Sequence, residues 1–182
     1  MSITLRSAAL ACLLSLAACS SGGVHSSVAD APDARPTLSD YNLDSDGLAI
    51  KGYDPVSYFP DFGGEARKGS AEFSATHRGV TYRFVSESHK QTFLENPAAF
   101  EPRYGGWCAW AMADGKGDKV RINPKSFTIE DGKLYLFYDS FLADTREMWL
   151  DAGGADELAP PSDENWERLS GEEPDGDEDD DG

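Results

Sequence analysis

Cys108 carries the strongest chemical potential in this chain. It follows Gly105-Gly106-Trp107 and opens the apolar run Ala109-Trp110-Ala111-Met112-Ala113, which reads as a short helix with the thiol in its first turn. Backbone amides and the helix dipole at that end favour thiolate over thiol. The two glycines let another group approach the backbone closely. Met112, four residues on, shares the face of Cys108. His89 lies four residues before Phe93, and Phe100 follows seven later, which aligns His89 with an inward-facing stripe. Cys, Met and His are soft donors, and together they suit copper, cuprous copper above all. Two or three such ligands make an open, labile site fit for transfer or sensing rather than structural stapling. Each residue also has a plainer reading: Cys108 as a small buried hydrophobe, Met112 as core filler, His89 as a core histidine bonded to a backbone carbonyl. Asp54, before Pro55, reads as a turn anchor. His77 reads as an exposed turn residue and His25 as solvated. Tyr53, Tyr58, Tyr82, Tyr104, Trp107 and Trp110 are either core or the lining of a pocket for a flat ligand.

The elements that must position these side chains lie in the middle of the chain. Residues 1–18 read as a signal peptide: Arg6 supplies the positive start, and Ala8–Ala18 is an apolar run too short to span a bilayer. It ends in Leu16-Ala17-Ala18-Cys19, a lipobox, and so resembles bacterial lipoprotein precursors. That resemblance implies diacylation of Cys19 (with palmitate-type chains) after cleavage, and Ser20 rather than Asp next to it implies the outer membrane, facing the periplasm. More than one acyl chain gives stable anchoring. Residues 19–40 are rich in Ser, Gly and Pro and read as a flexible tether. Residues 41–169 read as one globular domain.

Within that domain, Val80–Val85 alternates as a strand after Gly79. Ser86 then reads as the N-cap of a helix over 87–96 that Pro97 stops. Ser126–Ile129 and Leu134–Tyr138 flank Asp131-Gly132, a hairpin signal. Helical spacing returns over 140–150 with Phe141, Leu142, Met148 and Trp149, and a short helix is expected around 163–169. Strands and helices segregate with no repeated βαβ period, so the fold class is α+β.

Gly52-Tyr53-Asp54-Pro55-Val56-Ser57-Tyr58-Phe59, Gly69-Ser70-Ala71-Glu72-Phe73, Gly79-x-x-Tyr82-x-Phe84-x-Ser86, Phe93-x-x-x-Pro97-x-x-Phe100 and Tyr104-Gly105-Gly106-Trp107-Cys108-Ala109 together resemble YHS-domain proteins, most of all their exported bacterial branch, some of whose members carry selenocysteine. The resemblance covers roughly 52–138. It implies a small metal-binding module of the kind found beside copper-transporting ATPases and some oxygenases. The chain departs from the cysteine pattern of those modules: Ser57, Val85 and His89 stand where their cysteines fall. What the resemblance leaves is the distinctive cysteine of the Tyr-Gly-Gly-x-Cys-Ala motif, Cys108, with soft-metal or redox chemistry implied there.

Charge narrows the partners. The 33 acidic and 16 basic residues give −17. Eight of the acidic residues fall in 170–182, which reads as a disordered acidic tail without calcium-loop spacing. So acidic a chain repels nucleic acid and anionic lipid. The membrane is reached through the lipid at Cys19, and an envelope protein is a further partner. Once Cys12 leaves with the signal and Cys19 is acylated, Cys108 is the lone thiol. The sequence thus points to a lipid-tethered envelope protein whose domain binds a soft metal, copper first, or a small ligand around Cys108, with His89 and Met112 in support. The alternatives are a thiol-redox protein, which needs an outside resolving thiol, and a non-catalytic interaction domain. No hydrolytic triad can be assembled, and an enzyme is the lesser expectation.

Overall fold

In the amphipathic strand 80–84, Val80, Tyr82 and Phe84 are buried while Thr81 and Arg83 are half-covered, the period-two burial that alternating side chains impose. The computed structural model describes residues 38–174; the signal segment, Cys19, most of the tether and the end of the acidic tail lie outside the described residues. Short 3₁₀ turns at Leu38–Asp40, Ala49–Gly52, Val56–Tyr58 and Pro60–Phe62 lead into β1 (Ser70–His77) and β2 (Val80–Phe84). These pair antiparallel through Arg78-Gly79, both at positive φ. α1 (Glu87–Glu95) follows at once, with the Ser86 hydroxyl accepting from the His89 amide at 3.2 Å. Phe93 of α1 sets its ring 4.7 Å from Tyr82 and 5.2 Å from Phe84.

The second half contains α2 (Ala109–Ala113), β3 (Asn123–Glu130), β4 (Lys133–Phe137), β5 (Asp139–Ser140), β6 (Ala143–Asp144), α3 (Thr145–Asp151) and α4 (Ala155–Ser170). β3 and β4 turn through Asp131-Gly132, both left-handed, as a two-residue hairpin demands. The fold is α+β: among the described residues, four α-helices pack around three separate two-stranded antiparallel sheets. β4 runs through the core. Tyr135 and Phe137 meet Trp149 of α3 at 5.2 and 5.7 Å, and single bridges from Pro102 to Leu134 and from Cys108 to Leu136 lie along the strand. A further bridge joins Leu48 to Thr81 of β2. Burial pushes the phenols of Tyr58 and Tyr104 well up, so both serve as neutral donors, to the Pro124 carbonyl and to Asp163.

Two expectations change. α4 is a sixteen-residue helix that runs through Pro160-Pro161, where the sequence suggested only a short helix from 163. Tertiary anchoring overrides the two prolines: Trp166 is fully buried, the Asn165 amide donates to the Met112 carbonyl at 2.9 Å, and Glu130 accepts from the Ala155 amide at the helix start at 2.7 Å. The helix expected over 140–150 begins only at Thr145, because the Asp144 carboxylate caps it by accepting from the Arg146 and Glu147 amides at 3.0 and 3.1 Å. Phe141 and Leu142 therefore occupy the tip of the β5–β6 hairpin, 100 % and 89 % exposed. Past α4, the Tyr41 hydroxyl donates to Glu172 and Arg103 donates to the Pro174 carbonyl, so the chain is tied to the domain as far as Pro174.

The close approach that Gly105-Gly106 permits is taken up inside the molecule. A Cβ at Gly105 would lie 2.6 Å from the Trp166 ring and 2.9 Å from the Tyr41 ring, two rings that meet edge-on at 5.4 Å. Gly105→Ala is expected to cost about 2–4 kcal/mol in urea unfolding, from overpacking added to its left-handed backbone. Gly106→Ala, whose Cβ meets nothing nearer than 3.6 Å, should cost about 1 kcal/mol; equal losses would show that Trp166 is not seated on Gly105.

Candidate functional site

Two polar clusters hold the residues singled out by the sequence, and they share no member. The first is built on Asp54. Its turn places the carboxylate inside the fold at 0 % exposure. One oxygen accepts from the amides of Val56 and Ser57 at 2.9 and 3.4 Å; the other accepts from the Val85 amide at 2.9 Å and meets His89 Nδ1 at 2.7 Å. Asp54 is thus the turn anchor expected from Asp-Pro, and it also reaches the end of β2 and the side of α1. A carboxylate offers only lone pairs, so Nδ1 of His89 carries the donated hydrogen, which leaves Nε2 as the nitrogen without that bond. The His89 side chain is 14 % exposed, and its ring stands edge-on to Phe62 at 5.7 Å. In place of the backbone carbonyl of the plain reading, His89 has a buried carboxylate.

The second cluster surrounds Cys108, which is fully buried and sits at the N-cap of α2 rather than inside its first turn. Its sulfur makes no bond to the helix amides. It faces Thr145 Oγ1 at 3.4 Å and accepts from the Tyr138 amide at 3.3 Å. Thr145 has one hydroxyl hydrogen, and at 2.6 Å it goes to the Tyr138 carbonyl, which can only accept. The thiol therefore donates to Thr145, and a closed circuit runs Cys108 to Thr145 to Tyr138 and back to the sulfur. Tyr138 directly precedes β5 and Thr145 directly follows β6. The circuit thus clamps both feet of the hairpin that carries Phe141 and Leu142, a role with no signal in the sequence.

Met112 is fully buried; its amide donates to the Cys108 carbonyl and its own carbonyl accepts from Asn165. His77 is half-buried, with its ring 6.2 Å from Phe93. Among the described residues, no group of three or more His, Cys, Asp or Glu side chains is gathered that could hold a metal ion. Of the six aromatics, Tyr58, Tyr82 and Tyr104 are buried in the core; Trp107 donates to the Asp40 carbonyl, and Trp110 lines a groove of about 200 Å³ with Ala113, Asp114 and Leu158. Neither Cys108 nor His89 lines that groove.

Comparison of the chain with models of known families, with curated proteins and with solved structures finds no match.

Two outcomes follow from these clusters. Asp54→Ala should lose about 3–5 kcal/mol in urea unfolding, since it strands the amides of Val56 and Val85 and the His89 ring nitrogen. His89→Gln should lose about 1 kcal/mol, and a smaller loss for Asp54→Ala than for His89→Gln would show that the carboxylate is not the hub. At Cys108, iodoacetamide should not label the native domain, and labelling in rising urea should track unfolding; prompt labelling without urea would show an open thiol.

Proposed function

We propose that this chain is a lipid-anchored cell-envelope protein, held through Cys19 at the periplasmic side of the outer membrane, whose YHS-like domain works by binding rather than by thiol chemistry. The lipobox and the segments that resemble YHS-domain proteins support the address and the family reading. The observation that carries the choice of binding over redox chemistry is the closed hydrogen-bond circuit at Cys108. A peroxidatic or exchange thiol must meet its substrate, whereas this one has no exposure and spends its hydrogen and a lone pair on the feet of a hairpin. The soft-metal form of the reading finds support at His89 alone, because a carboxylate on Nδ1 is the arrangement that orients a metal-binding imidazole. The Cys108 thiol has its partners in Thr145 and Tyr138.

One pair of experiments tests this. Wild type should fractionate with membranes and Cys19→Ala should not. Reduced wild type, Cys108→Ser and His89→Ala are titrated with cuprous ion against a competing chelator, and the first two should give one and the same curve. Weaker binding in His89→Ala alone would place copper on Nε2. Weaker binding in both variants would restore a shared Cys108–His89 site and overturn the assignment of Cys108 to the fold.

A further inference from the structure

The tip of the β5–β6 hairpin breaks two rules at once. Two-residue hairpin turns favour Gly and Asn, and large apolar side chains favour burial. Here Phe141 and Leu142 form the turn, neither at positive φ, and both stand almost wholly in solvent. The stretch Ser140-Phe141-Leu142-Ala143 has no charge, within a chain of net charge −17. The flanking acids are engaged at the base: Asp139 accepts from the Asn123 amide group at 3.1 Å, and Asp144 caps α3. The hairpin is also braced, since the Cys108–Thr145–Tyr138 circuit closes its feet. Exposed Met148 and Leu150 lie on α3, the helix that it leads into.

We infer that this braced Phe141-Leu142 finger inserts into the leaflet to which the chain is anchored, docking the domain in a fixed orientation on a zwitterionic membrane surface. The inference rests on the lipid-anchor reading above. The chain preceding the described residues argues for this occupant. From Cys19 to Leu38 is 19 residues, at most about 65 Å when extended. A domain of this size is about 35–40 Å across, so the finger can reach the leaflet that holds the anchor. Two apolar side chains partition weakly when the protein is free. On a protein already tethered, the same contact is intramolecular and is driven by a high effective concentration. The surrounding acidity turns the domain away from anionic lipid and makes the contact selective for zwitterionic headgroups. It also weighs against a second copy of the same acidic chain as occupant.

The test uses the full-length lipidated protein with Leu142→Cys carrying an NBD fluorophore; Cys108, being buried, stays unlabelled. Glu95→Cys on α1, exposed and away from the finger, is the reference position. Flotation with phosphatidylcholine vesicles is scored first. The expected result is co-flotation, a severalfold rise and blue shift of NBD emission at position 142, quenching of that emission by spin-labelled lipid, and no change at position 95. Phosphatidylglycerol-rich vesicles should float the protein equally and give a smaller rise. Failure to float would sink the anchor and the finger together. Flotation with a solvent-like signal at 142 would leave the anchor standing and overturn the finger. A blue shift that grows with protein concentration without vesicles would also overturn it, by assigning the tip to self-association.

Discussion

A single buried carboxylate gathers the first half of this domain. Removing Asp54 from water is costly unless its lone pairs are satisfied, and here four donors converge on it from three parts of the chain. Two belong to its own turn, one ends β2 and one is the ring of α1. The turn, hairpin and helix cannot shift independently without stranding a charge. Phe93 packed on Tyr82 and Phe84 adds apolar area to the same junction, but the carboxylate fixes which residues face one another.

The second half has a weaker counterpart in the thiol. Cys108 bridges to β4 through its backbone and closes the base of the last hairpin through its sulfur. Glu130 plays a related part at the end of β3, where one carboxylate joins the Trp149 indole to the first amide of α4. Side chains such as Asp54, Asp144 and Glu130 thus work on backbone amides of the fold, while Glu172, past α4, takes the Tyr41 hydroxyl.

Local chemistry was readable where it acts locally. Ser86 announced α1, Asp131-Gly132 announced the β3–β4 turn, and Asp54-Pro55 announced an anchored turn; each depends on atoms within a few residues of the signal. The rest depended on distant partners. Only a short helix around 163–169 was expected, and Trp166, Asn165 and Glu130, bound to distant parts of the fold, accompany a helix that starts at Ala155 and passes through Pro160-Pro161. Phe141 and Leu142 fitted a helical stripe until Asp144 claimed the cap. His89 was expected on an inward stripe, while Cys108 and Met112 were left between core and ligand; the spacing of residues cannot tell which interior a side chain enters. The glycine pair was seen to admit a close neighbour, and that neighbour lay some sixty residues away in α4.

The single-residue bridges along β2 and β4 bear on how this protein behaves when crowded. A strand edge with a free row of amides and carbonyls invites a neighbouring chain to extend the sheet. Here Leu48 lies against β2, and Pro102 and Cys108 lie against β4, so the apolar strand of each longer hairpin has no open flank there. The facing strand β1 is interrupted by a register shift between Ser70 and Ser74 and is largely exposed and polar. At high concentration copies of the domain meet often, and sheets divided and sealed in this way give those encounters little template for growing into fibres.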